Sequence, residues 1–236
     1  MFFDPLYLML LAPALLLSLW ASFRTKSTFN KYSKVRALSG LTGAEAAKRL
    51  LDQAGISDVK IAPTRGYLSD HYNPTDKTLA LSEAVYGSNS IAALGVACHE
   101  AGHAIQHATK YAPLGLRSML VPTAKIGSTL GYWVMFGGLI LMGMSGGGAG
   151  VAVVLTGAVL FSAVLLFQIV TLPVEFDASN RAKALAVQYG IVAEREREGM
   201  DKVLNAAALT YVAAAVSTLM TLLYFLIRAG LLGGRR

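Results

Sequence analysis

Cysteine is almost missing from this sequence. Cys98 is the single one, so no intrachain disulfide can form, and nothing points to an oxidising compartment. Charge is scarce too: 15% of the 236 residues are charged, 54% are hydrophobic, and mean hydropathy is +0.51. That balance excludes an ordinary soluble domain and makes a membrane protein the default class. Acidic residues are the scarcer sign, 14 against 21 Lys and Arg, which leaves a net charge of +7. In a soluble protein such an excess would suggest nucleic acid. Here no recognition motif accompanies it, and the basic residues flank apolar runs, where membrane topology places them. The expected partner is therefore the lipid bilayer, with no nucleic acid.

Four apolar runs, at about 6–23, 126–144, 149–172 and 206–227, are long enough to cross a bilayer as helices. The first reads as a retained anchor. No Lys or Arg precedes it, it is long for a signal core, and Arg24, Lys26, Lys31, Lys34 and Arg36 follow at once. The second and third runs are joined by the turn Ser145-Gly146-Gly147-Gly148. Polarity is mixed only over 24–125, the one stretch long enough for a compact lobe.

Within that lobe, Thr42 with Glu45 reads as a capping box opening a helix through about Gln53, which Gly55 ends. Runs 59–62 and 78–81 are β-capable and separated by turn formers, including Gly66, Asn73, Pro74 and Asp76. The stretch 78–82 would suit an edge strand that holds an extended substrate by backbone pairing. Ser88-Asn89-Ser90 then offers caps for a helix over about 91–110. The resulting division is 1–23, first span; 24–125, soluble lobe; 126–172, a hairpin of two spans; 173–205, a further helix; and 206–236, fourth span and basic tail.

Charge tests this topology. Four spans put 24–125 and 175–205 on one side, where thirteen Lys or Arg lie near span ends, against Arg228, Arg235 and Arg236 on the other. The lobe is therefore expected to face the cytoplasm. The three C-terminal arginines weigh mildly against it, and a last run lying on the interface instead of crossing would remove the conflict.

The chemistry starts in the segment His99-Glu100-Ala101-Gly102-His103. In a helix four residues advance by about 400°, so His99 and His103 project within about 40° of each other, one turn apart, and both imidazoles can bind one ion. Glu100, beside the first ligand, can hydrogen-bond a water at an open coordination position and take its proton during attack on a peptide carbonyl. A catalytic zinc needs a third protein ligand. Glu175 is the first choice, two residues after Pro173 in the expected first turn of a new helix and on the same membrane side as the His pair. Asp177 is the nearest competitor. A hairpin of spans separates His103 from Glu175, which places the site near the membrane surface.

On these residues the chain resembles the gluzincin metallopeptidases, and more closely the membrane zinc peptidases of the YugP family. The likeness rests on His99-Glu100-Ala101-Gly102-His103-Ala104-Ile105-Gln106, on Asp70-His71-Tyr72-Asn73-Pro74, and on Pro173-Val174-Glu175-Phe176-Asp177-Ala178-Ser179. HtpX-type membrane enzymes are similar in placing a span hairpin between the His pair and the Glu ligand. The resemblance implies one zinc ion per chain, endopeptidase chemistry, ligands His99, His103 and Glu175, and Glu100 as general base. It also shows a departure: HtpX-like enzymes carry an Asp four residues after the ligand Glu, where this chain has Ser179. Asp177 and Asn180 are then the candidate hydrogen-bond partners of the zinc histidines.

Three further side chains need a role. His107 continues the four-residue spacing, but ligands eight residues apart lie about 12 Å apart along the axis and cannot share an ion with His103 between them. It reads as structural or substrate-proximal. His71 could reach over the metal and stabilise an oxyanion. Cys98 points about 100° from His99 and reads as a small packed residue. The expectation is a mainly α, four-span membrane protein whose small α+β, zincin-like lobe hydrolyses proteins or peptides, membrane-associated ones among them. The alternative is a metal-binding scaffold without turnover, which has no need of a carboxylate at Glu100.

Overall fold

The computed structural model describes residues 4–145 and 147–232. Gly146 of the expected turn, and Arg235 and Arg236 of the basic tail, lie outside the described residues. In chain order the elements are α1 (Pro5–Tyr32), α2 (Gly43–Gln53), β1 (Lys60–Thr64), β2 (His71–Asn73), β3 (Thr78–Ser82), α3 (Glu83–Tyr86) and α4 (Ile91–Ala108). There follow α5 (Ala112–Ile126), a π-helical stretch Gly127–Gly131, α6 (Tyr132–Ser145), α7 (Gly148–Gln188), a short 3-10 turn at Glu194–Glu196 and α8 (Arg197–Arg228). The chain is mainly α with a small α+β portion. It divides into two compact units, one within Met1–Trp20, Leu116–Leu172 and Tyr211–Arg236, the other formed by Ala21–Gly115 and Pro173–Thr210.

Among the described residues four helical stretches are long and apolar enough to cross a membrane: Pro5–Tyr32, Ala112–Met144, Gly148–Gln188 and Glu194–Arg228. Each extends beyond the apolar run that announced it, because Lys, Arg and Ala continue a helix as readily as Leu does. In the first unit the helices close on one another through missing side chains. A Cβ on Gly157 would stand 2.5 Å from the backbone nitrogen of Met135, and one on Gly131 2.7 Å from that of Phe161. Such small-residue contacts are how helices pack where no water drives them together. Met135, Val154, Ala158 and Phe161 are buried around this crossing. At the chain's first described residue, Asp4 accepts a hydrogen bond from Tyr224 Oη at 3.1 Å and pairs with Arg228 Nε at 3.1 Å.

The second unit is built around α4. Ser90 Oγ accepts from the Ala93 amide at 3.2 Å and caps it. Most of its residues are buried, as expected of a helix apolar on nearly every face. Against it packs α2, opened by the expected capping box: Glu45 N–H donates to Thr42 Oγ1 at 3.3 Å, and Thr42 N–H donates to the Glu45 carboxylate at 2.8 Å. Ala46, Ala47, Leu50 and Leu51 form its buried side.

The sheet has the order β1-β3-β2, with β1 parallel and β2 antiparallel to β3. The 78–82 strand is therefore central and cannot serve as the expected edge, since its backbone is bonded on both sides. Leu79 and Leu81 on one face and Ala80 on the other are all buried, which suits a strand covered on both faces. The unannounced partner is β2, three residues long and too short for a period-two signal.

A second correction concerns Pro173. No new helix starts there, because α7 runs unbroken from Gly148 to Gln188 with the proline inside it. An internal proline costs about 3 kcal/mol. Val174, Ala178, Ala182 and Ala186, each fully buried at four-residue spacing, supply the packing that carries the helix on.

The α2 packing makes a first prediction. Replacing Leu50, fully buried between α2 and its surroundings, by Ala is expected to lower stability by about 2–5 kcal/mol, read by denaturant unfolding followed by a probe in this unit.

Candidate metal centre

The centre is assembled by two helices that meet without room to spare. A Cβ on Gly102 would lie 2.6 Å from the Ala178 carbonyl oxygen, so α4 and α7 touch backbone to backbone there. His99 and Glu175 stand about one turn before that contact on their helices, and His103 and Ser179 directly after it. His99 and His103 project from α4 with ring centroids 4.8 Å apart, and Glu175 from α7 places Oε2 3.2 Å from His99 Nε2 and 3.5 Å from His103 Nε2. One donor atom from each of the three lies within 4.8 Å of the others, the one group of this kind among the described residues.

The set fits a zinc ion. Zn–N and Zn–O bonds of about 2.0–2.2 Å at a tetrahedral angle put donor atoms about 3.3 Å apart. The two His–Glu separations, 3.2 and 3.5 Å, match that spacing. The imidazole tautomer also matches. Gln106, fully buried one turn after His103, donates from Nε2 to the Val174 carbonyl and to Asp177 Oδ2, both at 2.8 Å. Its Oε1 is therefore an acceptor, and His103 Nδ1, 2.9 Å away, must be the N–H that donates to it. That leaves the Nε2 lone pair of His103 aimed at Glu175, the arrangement a metal requires. Asp177 is held in turn by Arg181 Nε at 2.6 Å, and the Arg181 guanidinium lies 5.6 Å from the Tyr111 ring centre. On the other histidine, Nδ1 of His99 meets Ser179 Oγ at 3.0 Å. The His99 side chain is the more open of the two, 14% exposed against 8% for His103, which leaves that side of the cluster accessible.

Electrostatics point the same way. Burial opposes ionisation of Glu175, but hydrogen bonds and the charges of His103 and His99 outweigh it and hold the carboxyl well below the usual carboxylate range. Burial likewise disfavours a charged His103, yet Glu175, Glu100 and Gln106 together push its proton affinity above the ordinary histidine value. Two buried carboxylates around two imidazoles thus make the cluster favour positive charge, from a proton or from a metal ion.

Among the other sequence candidates, Glu100 is buried, 8% exposed, and close enough to raise the proton affinity of His103. Asp177 reaches His103 only through Gln106. Asn180 is exposed, while its neighbour Ser179 is buried and does the holding. His71 sits exposed on β2, with Nδ1 2.9 Å from the Ser69 carbonyl. His107 Nδ1 and Tyr72 Oη share a hydrogen bond at 2.9 Å, linking α4 to β2. Cys98 is buried and outside the donor group, its thiol pushed up to about 12 by that burial. Sequence reading missed Gln106 and Ser179 as partners of the histidines. Gln106 was signalled by its three-residue spacing from His103, which puts both on one helix face. Ser179 was signalled by its four-residue spacing from Glu175.

Two outcomes follow from this geometry. Gln106→Leu strips His103 of its Nδ1 acceptor and should weaken zinc binding about 10–100-fold, measured by competition with a chelator. Because its surroundings raise the proton affinity of His103, a proton competes with zinc there up to a higher pH than at an ordinary histidine. Apparent affinity should fall about tenfold per pH unit below the raised His103 value and level off above it, in the same titration repeated across pH.

Comparison with known proteins agrees with the donor set. A family described as "Putative neutral zinc metallopeptidase" matches residues 7–230, a range that includes His99, Glu100, His103 and Glu175. The "Putative membrane protease YugP" of Bacillus subtilis (strain 168) is 48% identical over 220 residues, which cover 93% of this chain and 95% of that relative. No solved structure matches the chain. With two helices presenting a zinc-compatible His-His-Glu set inside a match that runs nearly end to end, the chain belongs to the family so described.

Proposed function

We propose that the protein is a membrane-embedded, zinc-dependent endopeptidase with one zinc per chain, held by His99, His103 and Glu175. The observation that carries this reading is the convergence of three donors from α4 and α7 with the Glu100 carboxylate buried beside them. A site for storing or sensing a metal gains nothing from a second buried carboxylate that raises the proton affinity of a ligand. For peptide hydrolysis such a group is needed.

Zinc in this position would supply Lewis acidity, making a water acidic enough to lose its proton near neutral pH and polarising the carbonyl under attack. Glu100 takes the proton of that water as its oxygen bonds to the carbonyl carbon, then passes it to the amide nitrogen as the C–N bond breaks, leaving a carboxylic acid and an amine. Gln106 and Ser179 hold the imidazoles while this happens. Glu175 stays ionised throughout, consistent with its lowered proton affinity. His71 is the group proposed to stabilise the oxyanion. Its contact to the Ser69 carbonyl uses Nδ1–H, so Nε2 can donate only from the protonated ring.

Four apolar helical stretches and the excess of Lys and Arg on one side support a multi-pass protein in the cell membrane with the metal centre facing the cytoplasm. Glu175 follows the third apolar run within a single helix, which favours substrates that are membrane proteins, their cytosolic tails or peptides released nearby.

The deciding experiment compares detergent-purified wild type with Glu100→Gln for zinc content and for cleavage of an unfolded membrane-protein substrate. Both should hold about one zinc, and cleavage, sensitive to chelator, should drop about 10²–10⁴-fold in the variant. Absence of zinc from both, or equal cleavage by both, sinks the reading.

A further inference from the structure

The metal centre leaves unused a basic surface on the second unit. Phe23, Lys26, Ser27, Asn30 and Lys31 of α1, with Lys34 just past its end, line a shallow groove of about 550 Å³. From Phe23 to Lys31 the spacing follows the three- and four-residue rhythm of one helix face. No acidic residue is among the groove's lining residues. Glu198, which feels the charge of Lys31, is already paired with Lys202. Asn30 Oδ1 accepts from Tyr67 Oη at 2.6 Å, so the amide NH₂ is the half of that side chain able to donate into the groove. Phe23 is 72% exposed and stands beside the three lysines.

Position along α1 gives these groups a common purpose. As a helix, residues 5–22 rise about 27 Å, nearly the full hydrocarbon core of about 30 Å. The groove therefore begins where phospholipid headgroups begin. We propose that it is a binding site for an anionic phospholipid, with the phosphate among the ammonium groups of Lys26, Lys31 and Lys34, Ser27 and Asn30 donating hydrogen bonds, and Phe23 against the upper acyl chain. A soluble anion would use the lysines but would leave Phe23 in water, so the exposed ring favours the lipid. The inference rests on α1 spanning the membrane, and its test separates the two.

The full chain is reconstituted into phosphatidylcholine bilayers carrying spin-labelled phosphatidylglycerol or phosphatidylcholine, and the immobilised fraction of each label is read. Wild type should prefer phosphatidylglycerol. Lys26→Gln/Lys31→Gln/Lys34→Gln should lose about tenfold or more of that preference. The corresponding Arg substitutions should keep it, and so should Arg49→Gln/Lys60→Gln/Arg65→Gln, which removes the same charge from other exposed positions. An equal loss in both Gln triples, or no preference in wild type, overturns the proposal and leaves the spanning reading intact. Displacement of the label by soluble glycerol phosphate makes the groove a site for free anions and also overturns it. A chain that reconstitutes into no bilayer overturns both.

Discussion

The backbone contact between Gly102 and Ala178 is the constraint on which the rest of the site depends. A Cβ at Gly102 would stand 2.6 Å from the Ala178 carbonyl. With the side chain reduced to hydrogen, two helices from distant parts of the chain approach closely enough for His99 and His103 on one to meet Glu175 and Ser179 on the other. The donor spacing of 3.2–3.5 Å is inherited from this approach rather than from flexible side chains reaching for one another. The small residue inside the histidine segment is thus as much a part of the centre as the ligands.

Gln106 shows how the same contact is made specific. A buried amide has to satisfy both its ends, and here each end has one kind of partner: acceptors for the NH₂ in Val174 and Asp177, a donor for the carbonyl in His103. The amide cannot be turned over without losing three hydrogen bonds. It therefore fixes the proton of His103 on the side away from Glu175, and joins α4 to the backbone of α7 at the residue preceding the carboxylate ligand. Arg181 and Tyr111 extend the network outward. One side chain sets both tautomer and helix register.

Much of this was legible before any coordinates. The capping box, the apolar runs and the four-residue histidine spacing are local signals; α2 and α4 follow them closely, and the long helices contain the runs and extend beyond them. The cluster of His99, His103 and Glu175 was also expected, though it depends on contacts across 76 residues of sequence. What sequence could not supply were features decided by packing. Pro173 announced a helix start, but the buried residues that follow it, Val174, Ala178, Ala182 and Ala186, outweigh one lost hydrogen bond. The run Thr78–Ser82 announced a strand, yet edge or centre depends on the pairing of a three-residue segment that carries no pattern of its own. Ser179 looked like the loss of a carboxylate, and only its distance from His99 shows a hydroxyl in that place.

The helical course of α7 around Glu175 has a consequence for what the centre tolerates. In a helix each residue turns the next by about 100°, so Glu175 and Ser179, four residues apart, keep a fixed phase and face the same histidine. One residue inserted or removed between them would swing one of the two away from His99 by about 100°. What α7 contributes is therefore a spacing as much as a pair of side chains, and the carboxylate and the hydroxyl are held as one register-linked unit.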